Sequence, residues 1–307
     1  MKTLTLKTPR LGLTMGLRLC LTLYSALVAG LAAGEFVPSQ VPATANWVAH
    51  ADFDALRASE TGKAVLDRVR GEHAGKLAEL ERMFALDPLK EVAGVTMFGD
   101  GEVGHAVALI DAAFDRGHLE DVFRGAANYL PASHAGVVIH MWDAQGVRQH
   151  AAFASNSLLV FSRQEAGLRE ALDVLSANVP VPLDRFFATS VGKPLVLARA
   201  NLGRIARPKG TANAPMLDLI NVIQVAAREE DGRFALRMAA TTPTGEDAKR
   251  LHLMANGMLV LAEATNPKLK GLNLISEMTR SDDPPSVAAT LSMPLADWLA
   301  AMEKWAR

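Results

Sequence analysis

Apolar positions along this chain switch between two spacings, and the switches mark its elements. From Asn46 to Asp54 they alternate, with Trp47, Ala49, Ala51 and Phe53 on one side and Val48, His50, Asp52 and Asp54 on the other, which predicts a strand with one apolar face. Leu66, Val69, His73, Leu77, Leu80 and Phe84 then recur at helical spacing and predict an amphipathic helix of about 25 residues, closed before Asp87 and Pro88. Short apolar runs from Val92 to Phe98 and His105 to Asp111 flank Gly99, Asp100 and Gly101 and read as a hairpin. Asp115 is placed to cap a second helix with Leu119, Val122, Phe123 and Ala126 inward. Strands follow at Gly136 to Trp142, Gln149 to Ala154 and Ser157 to Phe161. Ser162 and Glu165 have capping-box spacing ahead of a third helix that carries Leu168, Ala171, Leu172 and Leu175 on its inner face.

Beyond a break at Asn178 to Pro182, the second half reads as a strand from Lys193, a loop or short helix from Gly203 to Ile220, and a hairpin turning at Asp231 and Gly232. A helix from Gly245 to about Thr265, a hairpin turning through Ser281 to Pro285, and a closing helix with Leu295, Trp298, Leu299, Met302 and Trp305 complete it, Pro294 being acceptable in its first turn. Ala106 to Leu130 lies without a gap on Ala235 to Leu259, placing strand on strand, helix on helix and Asp115 on Thr244, and Val48 to Leu56 lies on Leu197 to Ile205. Any two strand-helix units share such patterning, so duplication and common patterning both fit. The predicted class is α+β: antiparallel sheets with helices packed on one face, in two related units, 35–182 and 183–307.

Residues 1–34 stand apart as a predicted signal peptide. Lys2, Lys7, Arg10 and Arg18 precede an uncharged run from Leu19 to Leu31, and Ala32, Ala33 and Gly34 offer a peptidase site before Glu35. An uncleaved N-terminal anchor is the alternative; a membrane helix needs about 20 apolar residues, and Arg18 interrupts the stretch. Cys20 follows Leu17, Arg18 and Leu19, where a lipobox has small residues. The expected location is therefore the periplasm or cell envelope, with no transmembrane segment after cleavage.

Removing the four basic residues of this segment from the 32 Lys plus Arg leaves 28 against 33 Asp plus Glu, a mildly acidic remainder that points away from nucleic acid. The single cysteine, Cys20, leaves with the segment, so disulfide, zinc-thiolate and thiol-nucleophile chemistry are excluded for the cleaved chain. Gly99, Gly101 and Gly104 match G-x-G-x-x-G, but they lie between two predicted strands rather than ahead of a helix, and Asp100-Gly101 is itself a turn signal, so no nucleotide cofactor is inferred. G-x-S-x-G, H-E-x-x-H and the P-loop pattern are absent from the chain.

Two sets of residues remain as candidate sites. His50, Asp52 and Asp54 alternate on one strand face and so project together, as a metal or a polarised water would need; the competing reading has Asp52 ending the strand, Asp54 capping the next turn and His50 on a solvated face. Arg199, Arg204, Arg207 and Lys209 run into a Pro/Gly/Ala loop that suits an anion or a solvated connection. Tyr129, Trp142, Trp298 and Trp305 sit at core spacings.

The run WVAHADFDALRASETGKAVL and the later KEVAGVTMFGDGEVGHAVALIDAAFD resemble exported bacterial proteins of unknown function, in which an aromatic-V-x-H-x-D strand leads to a long helix and a T-x-x-G hairpin leads to a strand and an F-D helix start. The matching residues are Trp47, Val48, His50 and Asp52, then Thr96 and Gly99, then Phe114 and Asp115. The resemblance implies an exported α+β protein and no activity. The expectation is thus a non-catalytic envelope protein that binds or scaffolds a partner. One alternative is a carrier of an apolar ligand held between helices and sheet, consistent with 50% apolar residues and 12 Met. A metal-assisted hydrolase using His50, Asp52 and Asp54 is the other.

Overall fold

The computed structural model describes residues 34–177, 193–205, 215–265 and 273–305. Twelve strands form one antiparallel sheet, in the order β11-β12-β10-β9-β8-β1-β2-β3-β7-β6-β5-β4. They are β1 (Trp47–Asp52), β2 (Val92–Gly99), β3 (Val107–Ala112), β4 (Leu130–His134), β5 (Val137–Ala144), β6 (Val147–Phe153), β7 (Leu158–Ser162), β8 (Val196–Asn201), β9 (Val222–Glu230), β10 (Arg233–Thr241), β11 (Ile275–Asp282) and β12 (Pro285–Pro294). The helices are α1 (Phe53–Ala58), α2 (Glu60–Phe84), α3 (Pro88–Glu91), α4 (Arg116–Arg124), α5 (Glu165–Ala177), α6 (Gly245–Thr265) and α7 (Leu295–Trp305).

The α+β class and the antiparallel pairing hold, and the sheet is continuous because β1 pairs with β8. In that ladder Ala49 faces Ala198, the two residues that the sequence alignment superimposes. Cross-strand rows run outward from it in both directions. Ala51, Val95, Ile110, Leu159 and Phe153 form one row, and Ala200, Ile223, Ala240, Val287 and Arg280 form the other. These rows set Ile110 against Ala240, one residue from the gapless alignment, because Ile110 lies five residues before its helix cap Asp115 and Ala240 four before Thr244. Helix starts correspond without a shift: Asp115 accepts from His118 N at 3.0 Å, and Thr244 Oγ1 accepts from Asp247 N at 3.1 Å.

Strand alternation sorts the residues onto two faces. Leu119 and Phe123 of α4 pack on Ala151, Phe153, Leu159 and Ile110, while Leu168, Ala171 and Leu172 of α5 pack on Val107, Leu109, Val160 and Ala152. Consecutive residues such as Leu159 and Val160 therefore meet different helices. In the first half both faces are covered, where the sequence pattern indicated one; the strands there are apolar on both sides, so each side needs a cover. The N-terminal segment joins α5 on its face, with Phe36, Val41 and Ala45 in the same cluster. In the second half, Ala248 and Leu251 of α6 pack on Ala240 and Val287, and Trp298 of α7 stacks on Phe234 with ring centroids 3.9 Å apart.

Other differences from the sequence reading are local. β1 stops at Asp52, whose carboxylate accepts from Ala55 N at 2.8 Å and so turns the chain into α1 two residues early. β4 escapes the alternation test because Leu-Pro-Ala-Ser-His has neither a β-branched residue nor a free amide at Pro131; it is the edge strand, where Pro is tolerated. Ser162 ends β7, accepting from Gln164 N and donating to Ala106 O, instead of forming a capping box. The Asp231–Gly232 turn has φ of 51° and 70°, the geometry of a tight hairpin that follows the sheet twist.

Leu119 has 0% of its surface exposed. Leu119→Ala is expected to lower the unfolding free energy by about 2–5 kcal/mol, read as a shifted urea midpoint with an unchanged slope.

Candidate functional site

The long helix α2 is held tightly at one end and loosely at the other. At its start, Ser59 Oγ accepts from Gly62 N at 2.9 Å, and the Glu229 carboxylate on β9 accepts from Thr61 N at 2.8 Å and from Glu60 N at 3.3 Å. A carboxylate there completes the unpaired amides and opposes the helix dipole. The buried residues of α2, Thr61, Gly62 and Leu66, all lie in the first two turns. His73 then leaves helical geometry at φ −125° and ψ 23°, between Gly71 and Gly75. Past that kink the helix buries no residue, and its apolar side chains are too sparse to seal what lies beneath.

Beneath it is a cavity of about 550 Å³. Its floor is the sheet face that carries Val92 and Val95 of β2, Ile110 of β3, Leu159 and Phe161 of β7 and Trp142 of β5. Leu77, Leu80, Met83 and Phe84 of α2 form the roof, Val122 and Phe123 of α4 with Phe114 and Ala126 one wall, and Phe53, Leu86, Pro88 and Leu89 the other. All 18 lining residues are apolar. At the roof, Leu80 and Met83 are 40% and 50% exposed.

The walls and floor are braced by ring contacts and hydrogen bonds. Phe123 stacks on Trp142 at 4.8 Å between centroids, Trp142 meets Phe161 at 6.2 Å, and Phe114 meets Phe153 edge-on at 5.9 Å. Arg57 anchors the α3 side by donating to Leu89 O at 3.1 Å and Val92 O at 2.8 Å. Sequence reasoning placed Trp142 in the core and offered an apolar site between helices and sheet as one alternative, but assigned to it none of the residues that line this cavity. The one signal was the sparse apolar stripe of α2.

His50, Asp52 and Asp54 are not brought to one point. His50 is buried on β1, with Nδ1 2.9 Å from Thr96 Oγ1 and Nε2 3.0 Å from Gly34 O. Asp52, also buried, caps α1, and Asp54 lies within α1, paired with Arg57. Among the described residues no group of three His, Cys, Asp or Glu side chains has the proximity to hold a metal ion. Arg199 is on β8 and half-buried, Arg204 is exposed in the following loop, and Arg207 and Lys209 lie outside the described residues. Of the G-x-G-x-x-G residues, Gly99 ends β2 and Gly101 and Gly104 lie in the β2–β3 connection, beside a smaller cavity of about 320 Å³ in which Asp100 bonds His105 at 2.8 Å and Thr44 bonds Glu170 at 2.6 Å.

No family model and no curated protein matches the chain. Among solved structures, crystal form III of TP0453 aligns with a TM-score of 0.50 at 8% identity, covering 89% of this chain and 99% of that one. Crystal form IV of TP0453 aligns at 0.49 and 8% identity, covering 88% and 97%. The likeness is one of fold along nearly the whole chain. No helix among the described residues is long and apolar enough to cross a membrane.

Three imidazoles give the fold a pH dependence. Burial holds His50, His140 and His150 below the ordinary histidine range; Asp52 and the Gly34 carbonyl oppose this at His50, Glu120 at His140, and the Ser162 backbone and Glu165 at His150. A proton that the unfolded chain accepts near pH 6.5 is refused by the folded one, so their contribution is complete above that pH and lost as pH falls through it. The urea midpoint is expected to drop between about pH 7 and about pH 5, and His140→Gln is expected to flatten part of that drop.

Proposed function

We propose that this protein is a non-catalytic binding protein that holds an apolar ligand, such as a lipid acyl chain, in the cavity between α2, α4 and the sheet. The observation that carries this reading is the wall itself: 18 apolar residues around about 550 Å³. Ligand sites commonly enclose about 300–1,000 Å³ and place a few polar groups to orient the ligand. The wall here has no polar side chain, so it selects for hydrocarbon and leaves any polar head group at the exposed roof beside Leu80 and Met83. An unfilled apolar space costs stability, and a ligand that fills it recovers contact energy.

Export is the second part of the proposal and rests on residues 1–34 alone, with their early positive charges and uncharged run. An envelope location would bring the cavity close to lipids. Of the sequence expectations, the carrier alternative is the one that the cavity favours over a general scaffold.

A fluorescent fatty acid titrated into purified protein tests the reading. Saturable one-to-one binding with quenching of Trp142 emission is expected. Val122→Trp, which fills the cavity, and Met83→Glu, which charges its roof, are each expected to weaken binding at least about tenfold while the thermal melt stays cooperative. Absence of saturable binding, or binding untouched by both variants, would overturn it.

A further inference from the structure

Gly34 is built into the fold. Its carbonyl oxygen lies 3.0 Å from His50 Nε2, so Nε2 carries the proton and donates, and Nδ1 accepts from the Thr96 hydroxyl at 2.9 Å. The pair is enclosed: His50 is 5% and Asp52 3% exposed, and Gly34 itself is buried. No side chain fits at position 34, where a Cβ would stand 2.4 Å from Ala93 O and 2.5 Å from Asp52 Oδ1. The contact is glycine on glycine, since a Cβ on Gly94 would stand 2.8 Å from Gly34 O. Two residues on, the Phe36 ring lies 5.3 Å from the His50 ring and enters the core with Val48 and Phe98.

These contacts bear on where the leader is removed. Leader peptidases require small residues one and three positions before the cut. Two bonds at the end of the uncharged run meet that rule: the one after Ala32, with Gly30 in the third position, and the one after Gly34, with Ala32 there. Sequence alone does not rank them. Cutting after Gly34 would discard the carbonyl that His50 Nε2 donates to, stranding a buried donor, and would empty the glycine slot against Gly94.

We propose that the cut falls between Ala32 and Ala33, so that the exported chain starts at Ala33 and keeps Gly34 as the residue that locks its N-terminal segment onto β1 and β2. The step is hydrolysis by an envelope leader peptidase: the Ala32–Ala33 peptide bond breaks, the water oxygen joins the Ala32 carbonyl carbon to complete its carboxylate, and both water protons end on the Ala33 nitrogen, which leaves as the ammonium. The inference rests on the export reading above, and its test separates the two.

The full chain, expressed with its own leader in a Gram-negative host, is fractionated and its intact mass measured. An envelope-fraction mass that begins at Ala33 is the expected result. A mass that begins at Glu35 would leave export standing and overturn this cut. A full-length mass in the envelope fraction, the uncleaved anchor, would leave export standing and overturn this cut, whereas a chain confined to the cytoplasm would overturn the export reading and the proposal with it. As an independent measurement, chains started at Ala33 and at Glu35 are compared by thermal melting. The Glu35 chain is expected to melt at least about 2–4 °C lower, and equal midpoints would remove the structural basis of the proposal.

Discussion

The pairing of β1 with β8 is the constraint on which the rest of the architecture depends. Each strand has a partner on both sides, and the Ala49–Ala198 contact lies where the two halves meet. Without it each half would end in an edge strand with unpaired amides, and β1 also carries the buried His50 and Asp52. With it, only β4 and β11 are edges among the described strands. Both are poor templates for further strands: β4 is short and contains Pro131, and β11 carries Glu277, Arg280 and Asp282.

The two halves spend the same sheet differently. Between β1 and β2 the chain inserts α1, α2 and α3, whereas the described residues between β8 and β9 contain only the single 3-10 turn Leu217–Leu219. The insertion is what makes the cavity. α4 and α6 occupy corresponding places on the sheet, yet only α4 has a long helix beside it, and the gap between them stays apolar and open. α6 meets the sheet through Ala248 and Leu251 and leaves Leu253, Met258, Val260 and Leu261 about 60% exposed.

Loose packing and tight packing are thus separated within one helix. The first turns of α2 are fixed by Ser59, Glu229 and the close seat of Gly62 against Leu56, while past His73 Leu77 and Phe84 reach the core clusters and the turns between them lie over the cavity. The strands below the cavity are held by their own ladders and by α4 and α5.

Much of this was legible from local pattern. The hairpins at Asp231–Gly232 and Ser281–Pro285, the helix starts after Asp115 and Thr244, and the extents of α2 and α6 follow from spacing, turn chemistry and caps, which act over a few residues. The sequence by itself determined those elements and their antiparallel α+β class. Tertiary structure alone decided that both faces of the first-half sheet are covered, that His50 is buried between Thr96 and Gly34 while Asp54 turns away into α1, and that residues from separate strands and helices leave an apolar space among them. The reason is physical: periodicity states which side of an element is apolar, but what meets that side depends on pairing between strands distant in the chain, and a cavity belongs to no single element's pattern.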